Sequence, residues 1–110
     1  MDFETTYPAD FCSRRLKAIA DPTRWAVIAQ LMKSPKNVSE LNTSLKLEPT
    51  LLSHHLKILR EEGFIEYTRA GKTKRYRLCP DVKLTPSGKG IDLGCCRLEL
   101  NVPLTETPLS

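Results

Sequence analysis

Two groups of residues in this 110-residue chain could do chemistry: a run of cations in its middle, and four cysteines at positions 12, 79, 95 and 96. Residues 50–78 hold seven Lys and Arg against three Asp and Glu. Residues 1–49 hold seven against six, and residues 79–110 hold three against four. The whole net charge of +4 therefore lies in the middle. Such a concentration is the electrostatic footprint of nucleic-acid binding, and it also describes an ordinary solvated face. Cysteine thiolates, for their part, are nucleophiles, redox centres and soft-metal ligands. Spacing has to say which of these uses applies.

The elements that position the cations can be read from the pattern. Leu16, Ile19 and Ala20 mark one face of a short helix from about Asp10 that ends before Asp21. Asp21-Pro22 starts a second helix, with Asp as cap and Pro at the first helical position; Trp25, Ile28, Ala29, Leu31 and Met32 form its buried stripe until Ser34-Pro35. Ser39 is the predicted cap of a third helix over Glu40 to Lys46, with Leu41 and Leu45 inward, and a turn follows at Leu47-Glu48. A fourth helix runs from Pro49 to about Glu62 and stops at Gly63. Its Leu52, Leu56 and Leu59 form an apolar row widened by Leu51 and Ile58, and Thr50, Ser53, His54, Lys57 and Arg60 or Glu61 fall on the other side. Hydroxyls and an imidazole at the front, cations further along, suit base edges followed by phosphates.

Phe64 to Arg69 and Thr73 to Leu78 alternate β-branched, aromatic and polar residues around Ala70-Gly71-Lys72, which predicts a β-hairpin. Arg69, Lys72, Lys74, Arg75 and Arg77 make its tip basic, fit to follow a phosphate backbone or enter a minor groove. Helix, turn, helix, basic hairpin is the order of a winged helix-turn-helix. The expected fold class is mainly α with a small β-hairpin (α+β), in three segments: an N-terminal arm over 1–9, the winged domain over 10–79, and an extended C-terminal tail over 80–110.

Composition sets the outer limits. A chain this short, 40% hydrophobic and 27% charged, supports one small core, which a second copy would help to complete. The longest uncharged apolar stretch, Trp25 to Met32, is far below the roughly 20 residues that cross a bilayer. Met1 to Asp10 lacks a signal-peptide pattern, so a cytoplasmic protein without a membrane partner is expected. Four cysteines spaced in this way do not form a secreted disulfide scaffold, and free thiols, or thiols held by a ligand, are the better reading.

Leu16-Lys-Ala-Ile-Ala-Asp-Pro-Thr-Arg24, Val38-Ser-Glu-Leu41, Ser53-His-His-Leu-Lys-Ile-Leu-Arg60, Glu62-Gly-Phe-Ile65 and Arg75-Tyr-Arg-Leu78 resemble the arsenic-repressor (ArsR/SmtB) family of bacterial transcription regulators, over about residues 12–78. The resemblance implies a homodimeric winged-helix repressor, without catalysis or a required cofactor, that binds double-stranded operator DNA and leaves it on a metal, metalloid or oxidant signal. It places Thr50, Ser53 and His54 at bases, Lys57 and Arg60 at phosphates, and Arg69, Lys72, Lys74 and Arg75 in the wing. His55, on the other side of the helix, is read as structural.

The family's cysteine motif around the third helix is missing here: the matching positions, Asn37 to Leu41, hold no thiol. The tail has no histidine, and its prolines and glycines preclude the family's long fifth helix. Apolar residues in Ile91-Asp-Leu-Gly-Cys-Cys-Arg-Leu-Glu-Leu100 instead alternate with a phase change at the cysteine pair, which predicts a strand or extended arm with a kink. This tail resembles that of some arsenite-responsive members. The resemblance implies As(III) or Sb(III) held by Cys95 and Cys96 with a third thiolate from Cys12 or Cys79. Cys12 is favoured because the family's first helix and C-terminal segment meet. The alternative uses the same residues: a reversible disulfide between Cys12 and a tail cysteine, or a persulfide.

Other classes fare worse. The sequence has no Gly-rich phosphate loop, metal-hydrolase helix motif or spaced nucleophile and base, so no enzyme is expected. A winged-helix interaction module that has lost DNA binding remains as the alternative of another class, and the basic wing argues against it.

Overall fold

A computed structural model describes residues 9–99. The expected arm over 1–9 lies outside the described residues except for Ala9, as does the tail beyond Glu99. No helix among the described residues is long and apolar enough to cross a membrane.

Four helices, α1 (Ala9–Ile19), α2 (Pro22–Lys33), α3 (Val38–Leu45) and α4 (Pro49–Glu61), pack around one core with a sheet on the flank. Asp21 caps α2 as its sequence predicts, accepting from the Arg24 N–H at 3.0 Å. The cap of α3 is Asn37, not Ser39. Its side chain accepts from the Glu40 N–H, and the Glu40 carboxylate accepts from the Asn37 N–H, each at 2.8 Å. This earlier start follows from a contact distant in sequence: Lys36–Asn37 form strand β1, which pairs with Tyr76 and Arg75.

Between α3 and α4 the chain turns in three residues. Lys46 takes the left-handed conformation at φ 52°, and the Asn42 side chain clamps the turn by donating to the Leu47 carbonyl and accepting from the Leu47 N–H, at 2.9 and 2.8 Å. Gln30 ties α2 to α3 through Ser44 Oγ at 2.8 Å. α4 ends as Gly63 at φ 81° and the following Phe64 fold their N–H groups back onto the Arg60 and Leu59 carbonyls. Leu52, Leu56 and Leu59 are buried, each contributing about 1.5–3 kcal/mol against Ile28, Leu41 and Phe64 of the same core. Leu51, expected to widen that face, is 44% exposed instead.

Strands β2 (Ile65–Ala70) and β3 (Thr73–Leu78) form the hairpin, with β1 on its other edge in the order β1-β3-β2. Its loop is two residues, Gly71-Lys72, not three. Gly71 takes φ 67° at the first turn position, where only glycine enters without strain.

Up to Glu99 the tail is not a fifth helix but short strands, one of the two forms its alternation predicts, packed on the domain rather than held out as an arm. Strands β4 (Lys83–Leu84), β5 (Gly90–Asp92) and β6 (Arg97–Glu99) make a second antiparallel sheet in the order β4-β5-β6. The predicted phase change at Cys95-Cys96 is the connection between β5 and β6, where Gly94 sits at φ 91°. Ile91 and Leu93 join the main core, so the tail packs on the winged domain as part of it.

Candidate nucleic-acid interface

The side of α4 opposite its leucines carries the residues singled out in the sequence. Thr50, Ser53, His54, Lys57 and Arg60 are all exposed, the first at the helix N-terminus and the last near its end. Lys57 has one weak neighbour, Glu61 at 3.9 Å with both side chains mostly solvated, so its charge stays available.

His55 turns inward and is half-buried. Its Nδ1 lies 3.0 Å from Nη1 of Arg24. A guanidinium only donates, so this nitrogen accepts and the imidazole is neutral with its proton on Nε2. Burial is the main cause of its lowered pKa; Asp21 opposes the shift, and Arg24 and His54 add to it. Arg24 also donates to the Ala18 and Lys17 carbonyls at the end of α1, so one side chain fixes α4 relative to two other helices. Sequence reasoning missed Arg24; its place three residues after the Asp21 cap was the available signal.

In the wing, strand register sorts the cations. Residues directly opposite share a face, so Ile65, Tyr67 and Arg69 stand with Leu78, Tyr76 and Lys74, and Glu66, Thr68 and Ala70 stand with Arg77, Arg75 and Thr73. The first face holds the core residues Ile65 and Tyr76. It also meets α4: Arg60 lies 5.3 Å from the Tyr67 ring centre and Lys74 lies 4.7 Å from it, with Tyr76 5.3 Å away ring to ring. Tyr67, likewise not foreseen, gathers one cation from the helix and one from the wing beside a single aromatic ring. Burial pushes the Tyr76 hydroxyl pKa up, against the pull of Arg60, so it stays protonated at neutral pH.

The same register sets Arg75 apart from the wing cations Arg69 and Lys74. It stands on the opposite face, 3.7 Å from the Glu40 carboxylate and donating to the Pro35 carbonyl at 3.2 Å. These contacts tie the wing to the start of α3. Arg77 is spent likewise on Glu66 at 2.7 Å. Arg69, Lys72 and Lys74 are the wing cations left on the α4 side or at the tip.

The cysteines divide in an informative way. Cys12 on α1 and Cys95 in the tail are joined as a disulfide, with Cα atoms 6.5 Å apart although the two lie 83 positions apart in sequence. Cys96 and Cys79 are free and half-buried. The three-thiolate set of Cys12, Cys95 and Cys96 is therefore not assembled, and no group of three metal-capable side chains occurs among the described residues. Burial, with Glu66 and Asp81 adding to it, raises the Cys79 pKa, so that thiol stays protonated at neutral pH.

Residues 21–67 match the family model described as bacterial regulatory protein, arsR family. The HTH-type transcriptional repressor SmtB of Mycobacterium tuberculosis is 38% identical over 80 residues, 66% of this chain and 59% of that protein. The chain thus spans less than two thirds of the length of this curated relative. Among solved structures, the transcriptional repressor BigR from Xylella fastidiosa superposes with a TM-score of 0.59 at 30% identity, over 66% of this chain and 71% of that one. A homodimeric winged helix-turn-helix DNA-binding domain from Mycobacterium bovis gives 0.62 at 25% identity, over 74% and 78%.

Proposed function

Because the chain belongs to the arsR family of bacterial regulatory proteins, we propose that it is a transcriptional repressor that grips double-stranded operator DNA as a homodimer. One observation carries this reading: Arg60, near the end of the exposed polar stripe of α4, and Lys74 of the wing meet at the Tyr67 ring, and Arg69 shares the Lys74 face of the hairpin. In a dimer, two such helices enter successive major grooves about 34 Å apart and require an inverted-repeat site. Thr50, Ser53 and His54 read bases; Lys57, Arg60, Arg69, Lys72 and Lys74 hold phosphates. The homodimeric Mycobacterium bovis relative supports the assembly. No enzymatic step is assigned, in keeping with the family.

The signal is thiol chemistry at the junction of α1 and the tail. The Cys12–Cys95 bond supports an oxidative switch, in which an oxidant or persulfide closes the bond and alters the contact of α1 with the tail. A second reading draws on Cys96 beside Cys95. Once the bond is reduced, Cys12, Cys95 and Cys96 offer the three soft thiolates that suit As(III) or Sb(III). With the bond closed that donor set does not fit, so the two signals act on opposite redox forms.

The test is binding of the full chain to a selected inverted repeat and to random DNA. His54→Ala or Ser53→Ala narrows the gap between the two by about 1–3 kcal/mol, and Lys72→Ala weakens both alike. Equal losses on both DNAs from all three variants refute the reading. Cys95→Ser with Cys96→Ser abolishes release by peroxide and by arsenite; unchanged release removes the tail from the sensor.

A further inference from the structure

Beside the disulfide a cavity of 270 Å3 opens between α1 and the tail sheet. Val82, Ile91 and Leu93 line it with apolar surface, and the last two are buried. Four charged side chains also line it: Arg15, Asp92, Asp81 and Lys83. Two of these are committed elsewhere. The Arg15 guanidinium donates to the Glu62 carbonyl and lies 4.3 Å from the Phe64 ring centre. Asp92 pairs with Arg97 at 3.5 Å and accepts from the Gly94 N–H at 2.8 Å. Asp81 and Lys83 are exposed, and among the described residues neither makes an ion pair or hydrogen bond through its side chain. The cavity thus offers an anion and a cation without side-chain hydrogen bonds or ion pairs among the described residues, two residues apart on a mostly polar lining, with Lys83 directly across the β4–β5 pair from Asp92.

Its position relative to the disulfide is the second observation. Phe11 and Gly94 line the cavity, and each immediately precedes one partner of the bond, Cys12 and Cys95. Cys95 is the exposed partner and Cys12 the half-buried one.

We propose that this cavity binds a low-molecular-weight thiol bearing an α-amino-acid head group, with its ammonium on Asp81, its carboxylate on Lys83 and its sulfur directed at Cys95. The proposal rests on the thiol-switch reading above and names its reductant. The ligand thiolate attacks the Cys95 sulfur, the S–S bond breaks, and Cys12 leaves as a thiolate that takes up a proton. A second ligand thiolate then attacks the ligand sulfur of the mixed disulfide. Cys95 is released and protonated, and the ligand departs as its own disulfide. Two ligand thiols lose two electrons and two protons, and the protein disulfide gains both. A neutral or singly charged thiol meets only part of this recognition.

The experiment uses the oxidised full chain and four thiols: cysteine, cysteamine without the carboxylate, 3-mercaptopropionate without the amine, and neutral 2-mercaptoethanol. Reduction is followed by alkylation and mass measurement, with each rate expressed per thiolate. Cysteine is expected to react about tenfold faster than 2-mercaptoethanol, as two exposed ion pairs would give, and about threefold faster than cysteamine or 3-mercaptopropionate, each of which keeps one of the two pairs. Asp81→Asn and Lys83→Gln bring cysteine into line with them, with the circular dichroism of the fold unchanged. If all four rates fall on one line against thiol pKa, or if the variants keep the cysteine preference, the cavity assignment is overturned and the switch reading stands. If the oxidised chain still carries four free thiols, both are overturned.

Discussion

Replacing Lys74 and Arg75 one at a time by alanine separates two neighbours that look equivalent in the sequence. Lys74 lies on the α4 side of the hairpin beside Tyr67, and Arg75 lies on the reverse, held by Glu40 and the Pro35 carbonyl. Each phosphate neutralised by a cation contributes about 0.9 to the slope of log affinity against log salt, so Lys74→Ala in both subunits of a dimer lowers the slope by about 1.8. At 0.15 M salt that is a loss of about 30-fold in affinity. Arg75→Ala removes an ion pair whose two side chains are about half exposed, so it costs at most about 1 kcal/mol of stability and leaves the slope unchanged. Fluorescence anisotropy of a labelled operator, titrated at four or five salt concentrations, measures both slopes. Equal slope losses from the two variants would refute the division of the wing made by strand register.

Acid should loosen the fold through His55. Its folded pKa is depressed, so the stability it contributes is complete above its unfolded value of 6.5 and falls as pH drops below that; a urea midpoint that declines from pH 7.5 to 5.5 in the wild type, and less in His55→Gln, is the expected result. The disulfide closes a loop of 83 positions, which in the chain-entropy model stabilises the oxidised form by about 4.5 kcal/mol; urea unfolding with and without reductant measures it, and equal midpoints would contradict the bond. Gly90 is the third site to probe. A Cβ there would stand 2.4 Å from the Leu98 carbonyl oxygen, so Gly90→Ala should unpair β5 from β6 and slow disulfide closure, read as the rate of thiol loss under mild peroxide.

The helices were legible because their signals are local. Asp21-Pro22, Pro49 and Gly63 start and stop α2 and α4, and the leucine row at 52, 56 and 59 faces the core as its spacing requires. What was misread depends on contacts distant in sequence. Asn37 caps α3 because β1 is drawn onto β3, and nothing near residue 37 shows that pairing. Cations at adjacent positions look alike until the register of Ile65 against Leu78 assigns each to a face. In the tail, alternation on either side of Cys95-Cys96 pointed to extended chain where β5 and β6 lie, but strands of two and three residues carry no sign that they pair with β4 into a sheet. The pairing of Cys12 with a tail cysteine was among the alternatives the sequence offered, and the packing of Ile91 and Leu93 into the main core is what brings the two together.

Glu40 has one carboxylate and two duties: it accepts from the Asn37 backbone at the beginning of α3, and it faces Arg75 on the hairpin. On the proposed DNA-binding reading, the outward residues of α4 can therefore be exchanged as a cassette. Transplanting the hairpin alone from a relative would carry off the arginine and leave the graft without its anchor, so hairpin and third helix should be moved together.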